Sequence, residues 1–264
     1  MSSAAPHLLK GKVALVTGSS RGMGRQNAIA LAQHGASVVV NYVKGAAPAE
    51  EVVKEIESHG SKAIAIQADI SKPEQVEKLF TEAVKHFGQL NIVMSNSGLE
   101  HFGAIDEVTP ADFDRIFNVN TRGQFFVAQQ AYKHLSNPGR LILISSISAQ
   151  ATGVHNHAVY SGSKAAVEAF ARCFACDFGS KQITVNAIAP GGVKTDMYVE
   201  AARKYIPGGD TWTDDQLDKA VNAFSPLGRM GYPEDIAKVV VWLASDYAGW
   251  VNGQTIRISG GAAV

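Results

Sequence analysis

The sequence predicts an α/β fold of three layers: a doubly wound parallel sheet of seven strands with helices on both faces. Three observations predict it. Seven short apolar runs alternate with longer segments of helical pattern along all 264 residues. The runs are mostly continuous rather than alternating apolar and polar, as strands read when helices cover both sheet faces. No linker, repeat or low-complexity tract divides the chain, so residues 1–264 are read as one domain, with a loose arm over 1–9 and a lid over 191–226.

In order, residues 12–17 (K-V-A-L-V-T) form a short β-branched run between Gly11 and Gly18, a buried strand. A glycine turn follows, then a helix over 26–34 closed by Gly35, and a second strand over 37–41. Strand, turn, helix and strand within this length make a βαβ unit. The alternation continues with a helix over 49–59, a strand over 62–67, and a helix over 73–86 opened by Pro73 and stopped by Gly88. A strand over 90–95, one long helix over 113–133, a strand over 140–145 and a helix over 158–178 come next. A strand over 183–188 ends at Pro190-Gly191; short helices at 197–204 and 214–224 lie in the lid; a helix over 235–245 and a strand over 254–258 finish the fold.

Lys plus Arg equals Asp plus Glu, 24 of each, which gives no electrostatic argument for nucleic acid or an anionic membrane as partner. No run approaches the length of a membrane span, and the first residues lack the apolar stretch of a secretory signal, so a cytoplasmic protein is expected. Cys173 and Cys176 fall inside the helix over 158–178, where a redox pair would not sit, and read as buried and inert. His155 and His157 are two apart in a loop, but no third ligand is placed with them, and no metal is expected.

The first turn reads T-G-x-x-x-G-x-G, with Gly18, Gly22 and Gly24 between a strand and a helix. The first glycine permits the tight turn. The other two remove side chains where the backbone nears a pyrophosphate at the helix N-terminus, a Rossmann-type arrangement. No Gly-Lys-Ser/Thr follows, so it is not a P-loop. The second strand ends Val40-Asn41-Tyr42-Val43-Lys44 without an acid, and Arg21 stands in the glycine loop. An acid there would repel a 2′-phosphate, whereas Asn41 can donate to it and Arg21 can pair with it, which favours NADP(H). Asp69, ending the third strand, could accept from an adenine amino group or cap the turn; Ser97-Gly98 offers another close backbone approach.

Tyr160 and Lys164 stand four apart, on one helix face. An ammonium beside the phenol is expected to lower the tyrosine pKa toward neutrality and make it a general acid–base for a hydroxyl or ketone. Ser145, Ser146 and Ser148 follow an apolar strand, and a serine there can donate to a substrate oxygen. S-x-x-K over 161–164 also matches a serine acylase pattern, but its companion motifs are missing and its βαβ context is wrong. A non-catalytic dinucleotide-binding regulator is a further alternative, opposed by the full complement of candidate catalytic residues.

Together, T-G-S-S-R-G-M-G at 17–24, N-S-G at 96–98, Asn120, Ser146, Tyr160-x-x-x-Lys164 and Pro190-Gly191 resemble the classical short-chain dehydrogenases/reductases, over nearly the whole chain. Ser97 stands where that family usually has alanine. The resemblance implies that Tyr160 is the acid–base, Ser146 positions the carbonyl, Lys164 binds the nicotinamide ribose and lowers the tyrosine pKa, and Asn120 holds a water in the proton relay. It implies a cofactor site of Gly18, Ser20, Arg21, Gly22, Met23, Gly24, Asn41, Tyr42, Asp69, Ile70, Asn96, Ser97 and Gly98. Tyr160, Lys164, Pro190, Gly191, Gly192, Val193, Thr195 and Met197 complete it.

The stretches N-T-R-G-Q-F-F-V-A, H-A-V-Y-S-G-S-K, K-T-D-M-Y and K-Y-I-P are similar to fungal polyhydroxynaphthalene, versicolorin and anthrol reductases, and to a fungal 17β-hydroxysteroid dehydrogenase. This implies NADPH-dependent reduction of the keto tautomer of a polyhydroxylated aromatic, with a steroid or general ketone as the alternative. It implies substrate contacts from Ser146, Ile147, His155, Tyr160, Gly192, Met197, Tyr205, Phe224 and Val264. It also implies a homotetramer with the helices over 113–133 and 158–178 at one interface, Phe125, Phe126 and Ala128 among the contacts.

Overall fold

The computed structural model describes residues 7–150, 153–195, 198–206 and 208–262; the expected contributions of Met197 and Val264 lie outside them. Seven parallel strands form one sheet in the order β3-β2-β1-β4-β5-β6-β7. They are β1 (Val13–Val16), β2 (Ser37–Tyr42), β3 (Ala63–Gln67), β4 (Ile92–Ser95), β5 (Gly139–Ile144), β6 (Ile183–Pro190) and β7 (Thr255–Ile258). β5 and β6 are buried along their whole length, as strands covered by helices on both faces are.

Helices α1 (Gly22–Gln33), α2 (Ala46–Ser58), α3 (Pro73–Phe87), α4 (Pro110–Phe117), α5 (Gln124–His134), α6 (Ala158–Asp177), α7 (Tyr198–Tyr205), α8 (Asp214–Phe224) and α9 (Pro233–Ala244) complete the described fold. One core joins Val16, Val38 and Ile142 of the sheet to Ile29 of α1, Val52 of α2 and Val240 of α9. The other joins Leu15, Val93 and Leu143 to Leu79 and Phe80 of α3, Val127 of α5 and Val167 of α6. Each such fully buried side chain contributes about 2 kcal/mol.

Register Val13↔Ser37 and Ala14↔Ile92 places β1 between β2 and β4. The strand order reverses there, so the loops after β1 and β4 part and leave a crevice at the carboxyl ends of the strands.

Four expectations are corrected. The long helix over 113–133 is broken: α4 ends at Phe117, a π-helical turn spans Asn118–Gly123, and α5 follows. Such wide turns re-aim side chains and often mark functional positions; here it carries Asn120. α1 starts at Gly22, not at residue 26, so the helix begins inside the glycine turn. Leu9 is fully buried and its N–H donates to the His34 carbonyl, so residues 7–9 are anchored rather than loose. Cys173 and Cys176 are exposed, because the buried stripe of α6 runs through Val167, Ala171 and Ala175 and misses both.

Candidate active site

The glycine loop is held by backbone and amide hydrogen bonds. Gly18 and Gly22 have φ of 60° and 55°, a region only glycine enters cheaply. Gly24 has a different reason: an added Cβ would lie 2.3 Å from the Gly18 carbonyl oxygen and 2.5 Å from Asn96 Nδ2. It is needed for the loop to close on itself rather than for room beside a ligand. Asn96 Nδ2 donates to the Thr17 and Gly18 carbonyls, and the Asn96 and Ser97 amides donate to Thr17 Oγ1, latching the end of β4 to that of β1.

Asn41 is fully buried. Its Oδ1 accepts from the Gly18 amide at 3.1 Å, and its Nδ2 donates to the Ile66 and Ala68 carbonyls. With acceptor and donors engaged by backbone, Asn41 holds the loop and is not free to bind a phosphate. Arg21 is exposed, and its side chain makes no ion pair among the described residues, so it keeps that role open. Ser20, Met23 and Tyr42 are half-buried around the loop. Asp69 Oδ1 accepts from the Ser71 amide and hydroxyl, capping its turn, and Ile70 is buried against Gly123.

Four observations fit a dinucleotide here. The N-terminus of α1 has no side-chain cap, so its first amides stay available to an anion. Ser97 Oγ is buried without a hydrogen-bond partner in the described structure. Gly98 keeps open the space beside Lys164 Nζ and Asn120 Oδ1, 3.1 and 3.4 Å from where a Cβ would sit. Beyond β6, Gly191 abuts Ser259, Gly192 is exposed, Val193 bridges to Gly231, and Thr195 faces Gly22 across the crevice.

The chemical centre is assembled from β5, the π-helical turn and α6. Ser146 leaves β5 and caps the short turn Ile147–Ala149, and its Oγ lies 3.0 Å from Ser148 Oγ. Lys164, 2% exposed, donates from Nζ to the Ile144 carbonyl at 3.1 Å and lies 5.6 Å from the centre of the Tyr160 ring. Asn120 is buried: Oδ1 accepts from the Leu99 amide at 2.7 Å, and Nδ2 donates to the Leu99 carbonyl and to Ser163 Oγ. Its side chain therefore fixes the loop after β4 against α6.

The electrostatics differ from expectation. Burial, and then the charge of Glu100, push the Tyr160 pKa above its ordinary value, against the pull of Ser146. Burial lowers Lys164 to about 7, with Glu100 opposing. The ammonium meets the face of the tyrosine ring rather than its hydroxyl, and the buried setting drives both groups toward neutrality.

The substrate side of the site is a wall of rings. Phe102 lies tilted against His157 at 4.3 Å between centroids and meets Tyr205 edge-on at 4.9 Å; His157 lies 4.6 Å from the Tyr160 ring. Tyr205 Oη is 2.8 Å from His157 Nε2. Burial lowers His157 to about 4, so it is a neutral imidazole, and holds the Glu100 carboxyl above the usual carboxylate range.

Tyr205 therefore stands where the sequence placed it. Two other substrate-contact expectations are corrected. His155 is exposed, and His157, one step nearer the first turn of α6, supplies the ring instead. Phe224, at the end of α8, is 60% exposed and takes no part in the ring cluster; Phe102, from the loop after β4, holds the aromatic position. Sequence reasoning passed over Glu100, Phe102 and Gln124. Gln124 is buried and ties Asn120 to both the amide and the carbonyl of Ile144. A glutamine opening the apolar stretch Phe125 to Ala128 was the available signal. No cluster of three metal-ligating side chains occurs among the described residues.

Comparison with known proteins agrees with this architecture. The chain belongs to the short-chain dehydrogenase/reductase family; a family profile described as enoyl-(acyl carrier protein) reductase matches residues 18–263. More particularly, it is 56% identical over 262 residues to versicolorin reductase stcU of Emericella nidulans, covering 99% of each chain. It is 56% identical to trihydroxynaphthalene reductase PfmaI of Pestalotiopsis fici, over 96% of this chain and 90% of the other. A short chain dehydrogenase from Burkholderia cenocepacia, solved in complex with NADP, superposes with a TM-score of 0.87 at 35% identity, covering 97% and 100% of the two chains.

Proposed function

We propose that this chain is an NADPH-dependent reductase of the keto tautomer of a polyhydroxylated aromatic polyketide, of hydroxynaphthalene or anthrol type. The observation that carries the reading is Tyr160 set beside Lys164 and against the ring wall of Phe102, His157 and Tyr205. When bound, the cofactor supplies a hydride to the carbonyl carbon. Ser146 donates to the carbonyl oxygen and orients it. Tyr160 gives that oxygen its proton. Lys164 and Asn120 hold Tyr160 and the loop after β4 in place. Arg21, rather than Asn41, meets the 2′-phosphate that distinguishes NADPH. The aromatic wall offers flat faces to a fused-ring substrate.

The protein works as a homotetramer in this reading. Phe125, Tyr132 and Phe174 are partly exposed around an apolar groove of about 380 Å³ between α5 and α6, which suits pairing with a second copy. Trp242, Tyr247 and Trp250, exposed within one short stretch, suit a second contact. No described helix is long and apolar enough to cross a membrane, which accords with work in the cytoplasm.

The test is anaerobic NADPH consumption with emodin hydroquinone, a tricycle, against 1,3,8-trihydroxynaphthalene, a bicycle. Turnover of either supports the reading, and their ratio assigns ring number. Turnover of non-aromatic ketones or steroids alone sinks it.

A further inference from the structure

Tyr160, Lys164 and Glu168 follow one another at intervals of four along α6 and share one stripe of the helix. The first two have a place in the reaction proposed above; Glu168 has none. Yet it is only 7% exposed, and no cation pairs with it among the described residues. A carboxyl held this far from water needs a hydrogen bond for each oxygen.

Its partners show what it is suited to do. Oε1 accepts from Ser145 Oγ at 2.9 Å, and Oε2 accepts from Gln150 Nε2 at 2.6 Å. Ser145 precedes Ser146, and Gln150 closes the short turn Ile147–Ala149 that Ser146 opens. Glu168 thus grips the chain on both sides of Ser146. Lys164 adds a third hold from Nζ to the Ile144 carbonyl, and its own carbonyl accepts from Ser145 Oγ at 3.2 Å. The Gln150 amide is fixed in orientation: its Oε1 accepts from Arg257 Nε of β7, which can only donate, and its Nε2 faces the acceptor Glu168.

Within this frame Ser146 has one thing left to give. Its Oγ accepts from the Ser148 amide at 3.2 Å and from Ser148 Oγ at 3.0 Å, which fills both lone pairs. The hydroxyl hydrogen is then the free end. Its aim depends on how the segment over 145–150 is held against α6, the helix that carries Tyr160.

We propose that Glu168 is a positioning residue for the reaction: through Ser145 and Gln150 it fixes the distance and aim of Ser146 relative to Tyr160. The proposal rests on the roles given to Ser146 and Tyr160 above, and not on which ketone is the substrate.

The experiment measures kcat and KM with NADPH for 2-tetralone, a fused-ring ketone without hydroxyls, and for emodin hydroquinone, in the full chain and its variants. NADPH binding by fluorescence titration reports that each variant is folded. Glu168→Leu should lower kcat about tenfold or more, because a shift of about 1 Å at the donor is enough, with KM within about threefold and NADPH affinity within about twofold of the parent. Glu168→Gln should keep kcat within about threefold: its amide oxygen takes the Gln150 bond, and its amide nitrogen donates to Ser145, whose hydrogen passes to the Lys164 carbonyl. Gln150→Glu sets acceptor against acceptor and should also cost about tenfold in kcat. Adding Glu168→Gln to it restores a donor between them and should recover most of that loss; this pair carries the test should Glu168→Leu not fold. Parental kcat in a folded Glu168→Leu, a parallel fall of kcat and NADPH affinity, or a Glu168→Gln no better than Glu168→Leu overturns the proposal. Ser146→Ala separates it from the reading beneath it. Parental kcat there overturns both, whereas a loss there beside parental kcat in Glu168→Leu overturns the proposal alone. A parent that reduces tetralone and not the hydroquinone overturns the polyphenol reading only, and one that reduces neither overturns both.

Discussion

The glycine loop and the ring wall lie on opposite sides of the site and are held by different means. The loop is fixed by backbone: Asn41 and Asn96 act as amide bridges to carbonyls and amides of β1, β3 and the turn. Glycine is required there for shape. The wall is fixed by side chains that meet only in the folded state, Phe102 from one loop, His157 from another and Tyr205 from α7. A backbone-held site tolerates little change and serves one cofactor class. A side-chain-held wall can be rebuilt residue by residue for a new substrate without disturbing the strands beneath it.

The largest effect should come where the two halves meet. Tyr160 meets Lys164 from the sheet side and the His157 ring from the wall side. Tyr160→Phe keeps the ring contacts and removes only the hydroxyl. We expect kcat to fall by about 10³-fold or more, with NADPH affinity within about twofold, as proton transfer is lost but binding is not. A fall of less than tenfold would show that another group protonates the product, and His157 would be the next residue to replace.

The second effect separates the two reasons for glycine in the loop. Gly24→Ala places a methyl into the Gly18 carbonyl and the Asn96 amide, backbone and a side chain pinned by its hydrogen bonds to the Thr17 and Gly18 carbonyls. It should destabilise the fold by about 2–4 kcal/mol and weaken NADPH binding. Gly22→Ala meets nothing nearer than 4.0 Å and suffers only its left-handed φ, for about 1–2 kcal/mol. Urea denaturation of both variants checks the order. Equal losses would mean that the loop yields at Asn96, and that the backbone side is softer than its hydrogen bonds suggest.

This contrast also explains what could be read before the fold was seen. The strands, the glycine loop and the Ser146, Tyr160 and Lys164 constellation depend on local pattern and short spacing, and they stand at the predicted places. The break at Asn118–Gly123 was hidden because it holds no proline, and a lone glycine is tolerated within a helical pattern. Asn41 looked like a phosphate ligand because a strand-end asparagine says nothing of the three strands that consume its hydrogen bonds. His155 and Phe224 failed for the same reason: which of two nearby rings turns inward is decided by loop geometry. Glu100 carried no signal, since the groups its charge acts on, Tyr160 and Tyr205, are distant in sequence and an isolated acid in a loop reads as solvated.

Lys164 touches both halves and gives the smallest and most discriminating test. Its ordinary pKa is 10.5, and in the fold burial takes it to about 7. Below about 7 the lysine is protonated in folded and unfolded chains alike, and pH has no effect through it. Between about 7 and 10.5 the unfolded chain holds the extra proton, so the stability of the cofactor-free protein should rise with pH, by up to about 1.4 kcal/mol per unit. Lys164→Met, which has no titrating group, serves as the reference. The difference between parent and variant, from urea titrations at pH 7 and pH 9, should therefore move in favour of the parent by about 2 kcal/mol. No movement would mean that Lys164 keeps its proton when buried, held by the Ile144 carbonyl and the Tyr160 ring. The charge would then be present to draw the tyrosine pKa down, as the four-residue spacing alone suggests, and Tyr160 would be activated from the sheet side before any ligand arrives. A rise of the expected size would instead mean that the cofactor-free site is neutral on both residues. Activation of Tyr160 would then wait for the charges that cofactor and substrate bring.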